Sequence, residues 1–160
     1  ERGISMTRYW WVNQTKQWKK DYDENKVVAW IPPDRKPHYT HEIVKDMCKD
    51  DIMLGFRRQI GVVCWGKITS LRAKRGRDSW PPDYEEVDVW TANVEYHHLT
   101  NPIKLEKFIK NKNIQYLKQM IYTPFNCDDH VIMGYTFRFT REAFEAVRDS
   151  QADKEWAGSP

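Results

Sequence analysis

The residues of this chain best suited to chemistry are its flat aromatic rings and one short cationic run. Eight Trp and eight Tyr stand among 160 residues. Both types join a large apolar face to a polar edge, so an excess suits stacking surfaces as well as cores. Trp10, Trp11, Trp30, Trp65, Trp80 and Trp90 fall at strand ends and loops, where two or three rings can gather. Such a cage binds a flat base by stacking and favours an added methyl group by dispersion and desolvation. Inside a duplex the base must first be flipped out, at a cost of roughly a few kcal/mol. Arg72, Lys74, Arg75 and Arg77 crowd around Gly76, and Trp80-Pro81-Pro82 closes the stretch. A cationic loop carrying a ring offers charge for phosphate and a π face for a base. The plainer reading is a solvated loop whose Trp folds back onto the core. For any one Trp the core is the more ordinary place. Trp30 and Trp80, each beside a Pro-containing loop, are the expected exceptions.

Other constellations point away from catalysis. His97 and His98 with Glu95 suggest metal ligands, but adjacent strand residues point to opposite faces and cannot share one ion without distortion. Asp128-Asp129-His130 lacks the spacing of a calcium loop and reads as a turn. Asp50-Asp51 reads as a turn before a strand, whereas paired catalytic carboxylates usually come from different elements. Nucleophile-elbow, phosphate-loop, dinucleotide and zinc-protease motifs are missing. The expectation is a binding domain with no catalytic residue, no metal and no cofactor.

These groups need elements to hold them. Alternating Ile52, Leu54 and Phe56 predict a strand, Arg57-Arg58-Gln59 a polar turn, and Ile60 to Leu71 a second strand. Gly61 and Gly66 suggest bulges or a barrel corner. Arg8 to Val12 reads as a first strand ending at Asn13-Gln14. Thr15 is placed to cap a helix carrying Trp18 and Tyr22 on one face among Lys16, Lys19 and Lys20. Val27 to Trp30 reads as a strand stopped by Pro32-Pro33, and His41 to Met47 as a short helix. Glu86 to Leu99 is the longest strand candidate, ended by Asn101-Pro102. Helical spacing follows around Leu105 to Ile109 and Ile114 to Ile121, then loop through 124–131. A last strand at 134–139 leads to a helix capped by Thr140, with Ala143, Phe144 and Val147 as its apolar stripe. Short helices and five or six strands without regular βαβ alternation predict an α+β fold on a small barrel.

The totals bound the rest. The length fits one domain, taken as 6–150 with tails at 1–5 and 151–160. A net charge of +3 means that a nucleic-acid site must come from local clustering. No apolar run approaches a membrane span and nothing resembles a signal peptide. Three separated cysteines argue for reduced thiols and hence a cytoplasmic protein.

The pieces YWWVNQT, VVAWIPP, HEIVKDMCKDDIMLGFRRQIGVVCWGKITS, VDVWTANVEYHHLTNPI and GYTFRFTREAFEAV together resemble the EVE branch of the PUA-like superfamily, whose fold is shared with YTH domains. More narrowly, the chain resembles the EVE-like reading domains of McrB-type modification-dependent restriction systems. The resemblance implies a compact PUA-like β-barrel flanked by short helices that flips a modified base into an aromatic cage. It implies modified double-stranded DNA as partner, with N6-methyladenine or a modified cytosine as the base, and fusion to an AAA+ GTPase. A modified-RNA reader is the alternative, and a protein-interaction domain a more distant one. Carried over, the cage is Trp30 with the Ile31 backbone beside it, Trp80 from the loop after the hairpin, and Asn13 at the end of the first strand with Trp11 nearby. The chain has Asp50-Asp51 where the family commonly has Gly-Asp, which bears on the turn alone. Arg72, Lys74, Arg75, Arg77, Lys19 and Lys20 are assigned to phosphate on electrostatic grounds, independently of the family.

Overall fold

The computed structural model describes residues 6–31, 39–80, 85–151, 156 and 159, and of Trp80 and Glu85 the backbone alone. The Pro-containing stretch 32–38, the turn 81–84, residues 1–5 and most of the C-terminal tail lie outside the described residues.

Strand β1 (Tyr9–Asn13) separates two cores. Its alternation sends Tyr9 and Trp11 to an outer core and Trp10 and Val12 to an inner one. It pairs in parallel with β3 (Ile52–Arg57) and antiparallel with β7 (Thr136–Phe139). β3 turns into β4 (Gly61–Ile68), the hairpin expected from the alternating apolar residues. The turn closes with Gln59 at φ 68° and Gly61 at φ 124°. A Cβ on Gly61 would stand 2.4 Å from the Ile103 carbonyl oxygen, so no larger residue fits there.

The longest strand, β6 (Glu85–Ile103), serves two neighbourhoods. Its C-terminal half pairs with β4, and its N-terminal half pairs with β2 (Lys26–Ile31) on one edge and β5 (Lys74–Trp80) on the other. The order is β2-β6-β4-β3-β1-β7, with β5 beside β6. The result is a small α+β domain: a curled, half-barrel mixed sheet with a few short helices.

Helix α1 (Trp18–Glu24) crosses from β1 to β2, and α2 (Tyr39–Glu42) runs into a 3-10 turn at Ile43–Asp46. Helices α3 (Lys112–Leu117) and α4 (Arg141–Asp149) cover the outer core. The start of α4 is as its sequence predicts. The Thr140 hydroxyl oxygen accepts from the Ala143 amide at 3.1 Å, and Ala143, Phe144 and Val147 are buried.

Several local expectations differ. Thr15 does not cap α1; its Oγ1 accepts from the Arg58 amide, tying the β1–α1 link to the β3–β4 turn. β6 does not stop at Asn101-Pro102 but continues to Ile103, because the edge past Asn93 has no partner strand among the described residues to lose a hydrogen bond to Pro102. The helix expected from Lys104 is a single 3-10 turn, Leu105–Lys107, and α3 ends at Leu117, leaving Ile121 exposed. Asp51 is not an open turn residue. Its carboxylate is buried and accepts from the Cys48 amide, the Arg8 amide and Trp10 Nε1 at 2.9, 3.1 and 3.1 Å.

The predicted basic loop is a strand. Residues 74–80 form seven consecutive pairs with β6. Lys, Gly and Asp are poor strand formers alone; the ladder offered by β6 decides the conformation.

Candidate functional site

β2, the N-terminal half of β6, and β5 form a three-stranded arm. Residues opposite one another in an antiparallel ladder share a face. One row across the arm is therefore Trp30, Val89 and Gly76, and the next is Val28, Thr91 and Lys74. Val87 and Asp78 follow on the other side of the first row. Val28 and Val89 are buried, Trp30 is half-buried, and Lys74 and Gly76 are exposed. Helix α1 borders this face: Lys20 Nζ sits 2.9 Å from Glu24 and 3.2 Å from Asp78. Burial alone would lower the pKa of that ammonium, but the bonds to Glu24 and Asp78 outweigh it and raise the pKa above its ordinary value. Trp30 thus stands on a sheet face edged by two lysines, one open and one held by carboxylates.

The opposite face of β5 carries Arg75 and Arg77. Both guanidiniums reach Asp88 at 3.2 Å, and Arg77 also lies 3.8 Å from Glu86. The basic cluster is thus divided: Lys74 lies on the Trp30 face, Arg75 and Arg77 on the other. Arg72 makes an isolated bridge with Cys48 ahead of the strand. Lys19 is exposed on α1, paired with Asp23 at 3.0 Å.

Two of the proposed cage residues, Trp11 and Asn13, are engaged elsewhere. Trp11 is 0% exposed in the outer core, with the rings of Phe56, Phe125, Phe139 and Phe108 at 5.0, 5.1, 5.5 and 6.2 Å. A ring packed on all sides cannot wall a ligand cage, so that assignment is corrected. Asn13 is committed as well. Its Oδ1 accepts from Trp11 Nε1 at 2.8 Å, and its Nδ2 donates to the carbonyls of Ile132 and Gly134 at 3.1 and 2.9 Å. Both amide hydrogens are spent on holding the 132–134 segment, which removes Asn13 as a reader of a base edge. Ile31 follows Trp30 in β2, paired with Asp88, and its side chain is buried on the other face. Trp80 ends β5 opposite Glu85; its side chain lies outside the described residues. Among the other candidates, Trp10 and Trp65 are buried, and Trp90 packs against the inner core.

The two histidines leave β6 on opposite faces, as strand alternation requires. His97 stacks on Trp65 at 4.1 Å, and His98 meets the Tyr22 ring edge-on at 4.6 Å. Among the described residues no three His, Cys, Asp or Glu gather as a metal site, and no helix is long and apolar enough to cross a membrane.

One cluster escaped the sequence reading. Beneath α1 the inner core contains a knot of buried polar groups around Asp21, which is 0% exposed. Gln14 Nε2 donates to Asp21 Oδ2 at 3.0 Å and to the Tyr96 hydroxyl at 2.9 Å, and the Tyr22 hydroxyl donates to Gln14 Oε1. The Tyr135 hydroxyl donates to the same Asp21 oxygen and accepts from the Val28 amide. Burial without an ion-pair partner among the described residues pushes the Asp21 carboxyl up to about 7, against the pull of these hydrogen bonds. Asp21 is flanked by lysines and acids along the chain, so it reads as one more solvated charge; nothing local signals its burial. The cluster ties α1 to β2 and β6 and so fixes the border of the Trp30 face.

No family model matches the chain, and neither does any curated protein sequence. Solved structures do resemble it. A hypothetical protein from Leishmania major has a TM-score of 0.56 at 9% identity, over 89% of this chain and 92% of its own. A Pseudomonas syringae protein has 0.53 at 11%, over 87% and 96%. An Agrobacterium tumefaciens protein has 0.53 at 13%, over 90% and 93%. These likenesses establish a shared fold along nearly the whole chain. At such identity they carry nothing further.

Proposed function

We propose that this domain is a non-catalytic reader of a modified base in DNA, of the PUA-like EVE/YTH type, and that Trp30 is the stacking wall of its site. The observation that carries the reading is the half-buried Trp30 on a sheet face edged by Lys74 and Lys20. A ring of that size commonly sinks into a core; here it borders solvent beside positive charge, the pairing that base stacking with phosphate neutralisation needs. Trp80, the last residue of β5, is assigned as a second ring of the site by the sequence resemblance alone. Discrimination would arise from packing the added group against Trp30, about 1–3 kcal/mol for one methyl in an apolar pocket. The reading takes N6-methyladenine and modified cytosines as its candidate bases, and an AAA+ GTPase partner of the McrB type would supply the work that follows recognition.

The test is a titration against matched duplexes carrying adenine, N6-methyladenine, cytosine, 5-methylcytosine or 5-hydroxymethylcytosine, with N6-methyladenine RNA in parallel. The expected result is preferential binding of one modified duplex, and a Trp30→Ala variant that binds all duplexes alike. Preference for the RNA would move the domain to RNA reading. Equal weak binding of every probe by the wild type would sink the proposal.

A further inference from the structure

Gly76 occupies the middle of β5 for no reason that the described chain supplies. Three ordinary causes fail. Its φ is outside the left-handed region that holds Gly61 and Gly134. The β5–β6 ladder passes through it without a register break, so it marks no bulge. No neighbour needs its space either: among the described residues, a Cβ on Gly76 would meet nothing within 4 Å. At Gly55, Gly61, Gly66 and Gly134 the same atom would come within 2.3 to 2.6 Å of another group. Glycine weakens the interior of a strand, having more freedom to lose and no side chain to pack. Among the described residues nothing claims this space, and the cause that remains is close approach by a group from beyond them.

That approach has a direction. Gly76 faces the side of the arm that carries Trp30, with Val89 between them, and the row spans two strand spacings, roughly 10 Å. A flat ring resting against Trp30 extends along this row toward Gly76, where only backbone lies beneath it. The neighbouring rows set polar groups on either side: Thr91 and Lys74 on one, Asp78 with its Lys20 partner on the other. We propose that Gly76 is the specificity-determining clearance of the Trp30 face, admitting a planar nucleobase that lies flat over β5 and β6. This rests on the base-reading proposal above. A side chain at position 76 would lift such a ring off the sheet and away from the polar groups at its edges.

The experiment uses Gly76→Ala and Gly76→Val, with Ser79→Val on the opposite face of β5 as the control. Because a Cβ at 76 meets nothing, both Gly76 variants should melt at or above the wild-type temperature. Affinity for the modified duplex that the wild type prefers should fall at least tenfold for Gly76→Val and less for Gly76→Ala. Binding of the unmodified duplex should stay within twofold, and Ser79→Val should bind as wild type. A Gly76→Val protein that melts normally and keeps its preference overturns the clearance alone. One that fails to fold overturns the premise that the space is empty. A wild-type protein with no preference overturns the base-reading proposal, and this inference with it.

Discussion

Trp11 and Trp30 each belong to a short strand rich in apolar residues, and each has a proline-containing or polar segment close behind it. One is enclosed by four phenylalanine rings and the other borders solvent. The two indoles do not differ in hydrophobicity; their strands differ in place. β1 lies between β3 and β7, with a core on each face, so whichever way a ring points it is covered. β2 is the terminal strand of the sheet, and the face bearing Trp30 looks toward α1 and solvent. Exposure of a large ring is therefore decided by topology, through pairings that join residues far apart in the chain.

The largest break in this comparison should come from truncating each ring. Trp11→Ala leaves a cavity among four rings and should cost about 3–5 kcal/mol in urea denaturation, whereas Trp30→Ala should cost about 1 kcal/mol or less and act on binding instead. Similar losses from both would mean that Trp30 is as structural as Trp11.

The next effect separates the two sides of α1, the polar knot below it and the Trp30 face beside it. The Asp21 carboxyl is at about 7 in the folded protein and near 3.8 when unfolded. Between these values the folded state binds the extra proton, so Asp21's contribution to stability is fully present below pH about 4 and is lost as pH rises through about 7. Asp21→Asn should remove a decline of a few kcal/mol and leave the protein more stable than wild type at pH 8. An unchanged pH profile of the denaturation midpoint would show that Asp21 is not protonated in its buried site.

A smaller effect distinguishes the two faces of β5. Lys74→Ala should weaken binding to every duplex and lower the slope of log affinity against log salt by about 1. Arg75→Ala with Arg77→Ala should change the slope less than two free cations would, since Asp88 already holds both guanidiniums. Asp88→Asn, which removes the carboxylate from both and leaves Arg77 its contacts with Glu86, should raise affinity for all duplexes by a few-fold. If the double arginine variant instead lowers the slope by a full 2, the ion pairs yield to phosphate and the division of the cluster has no functional meaning.

Local signals carried much of the architecture. The β3–β4 hairpin follows from alternation, and the start of α4 from Thr140 and the apolar stripe behind it. The Trp18–Tyr22 pair on α1 follows from helical spacing, with ring centroids 6.2 Å apart. What escaped was whatever depends on a distant partner. Residues 74–80 have the composition of a loop and become a strand because β6 is there to pair with them. Asn13 looks like a free amide at a strand end, until the segment more than a hundred residues later arrives to take its hydrogens. Gly76 was visible as a letter, but its meaning required the register that sets it in line with Trp30.

The charges of β5 have a consequence for how copies of this domain meet. β5 pairs with β6 alone among the described strands, so among the described residues its outer edge has no partner strand, and such an edge invites another strand to dock. Lys74, Arg75 and Arg77 line that edge, and a second copy approaching in the same way would bring like charges together. This run of like charge therefore guards against sheet extension and aggregation. Neutralising it to measure binding removes that guard, and the altered proteins should scatter more light at high concentration than the wild type.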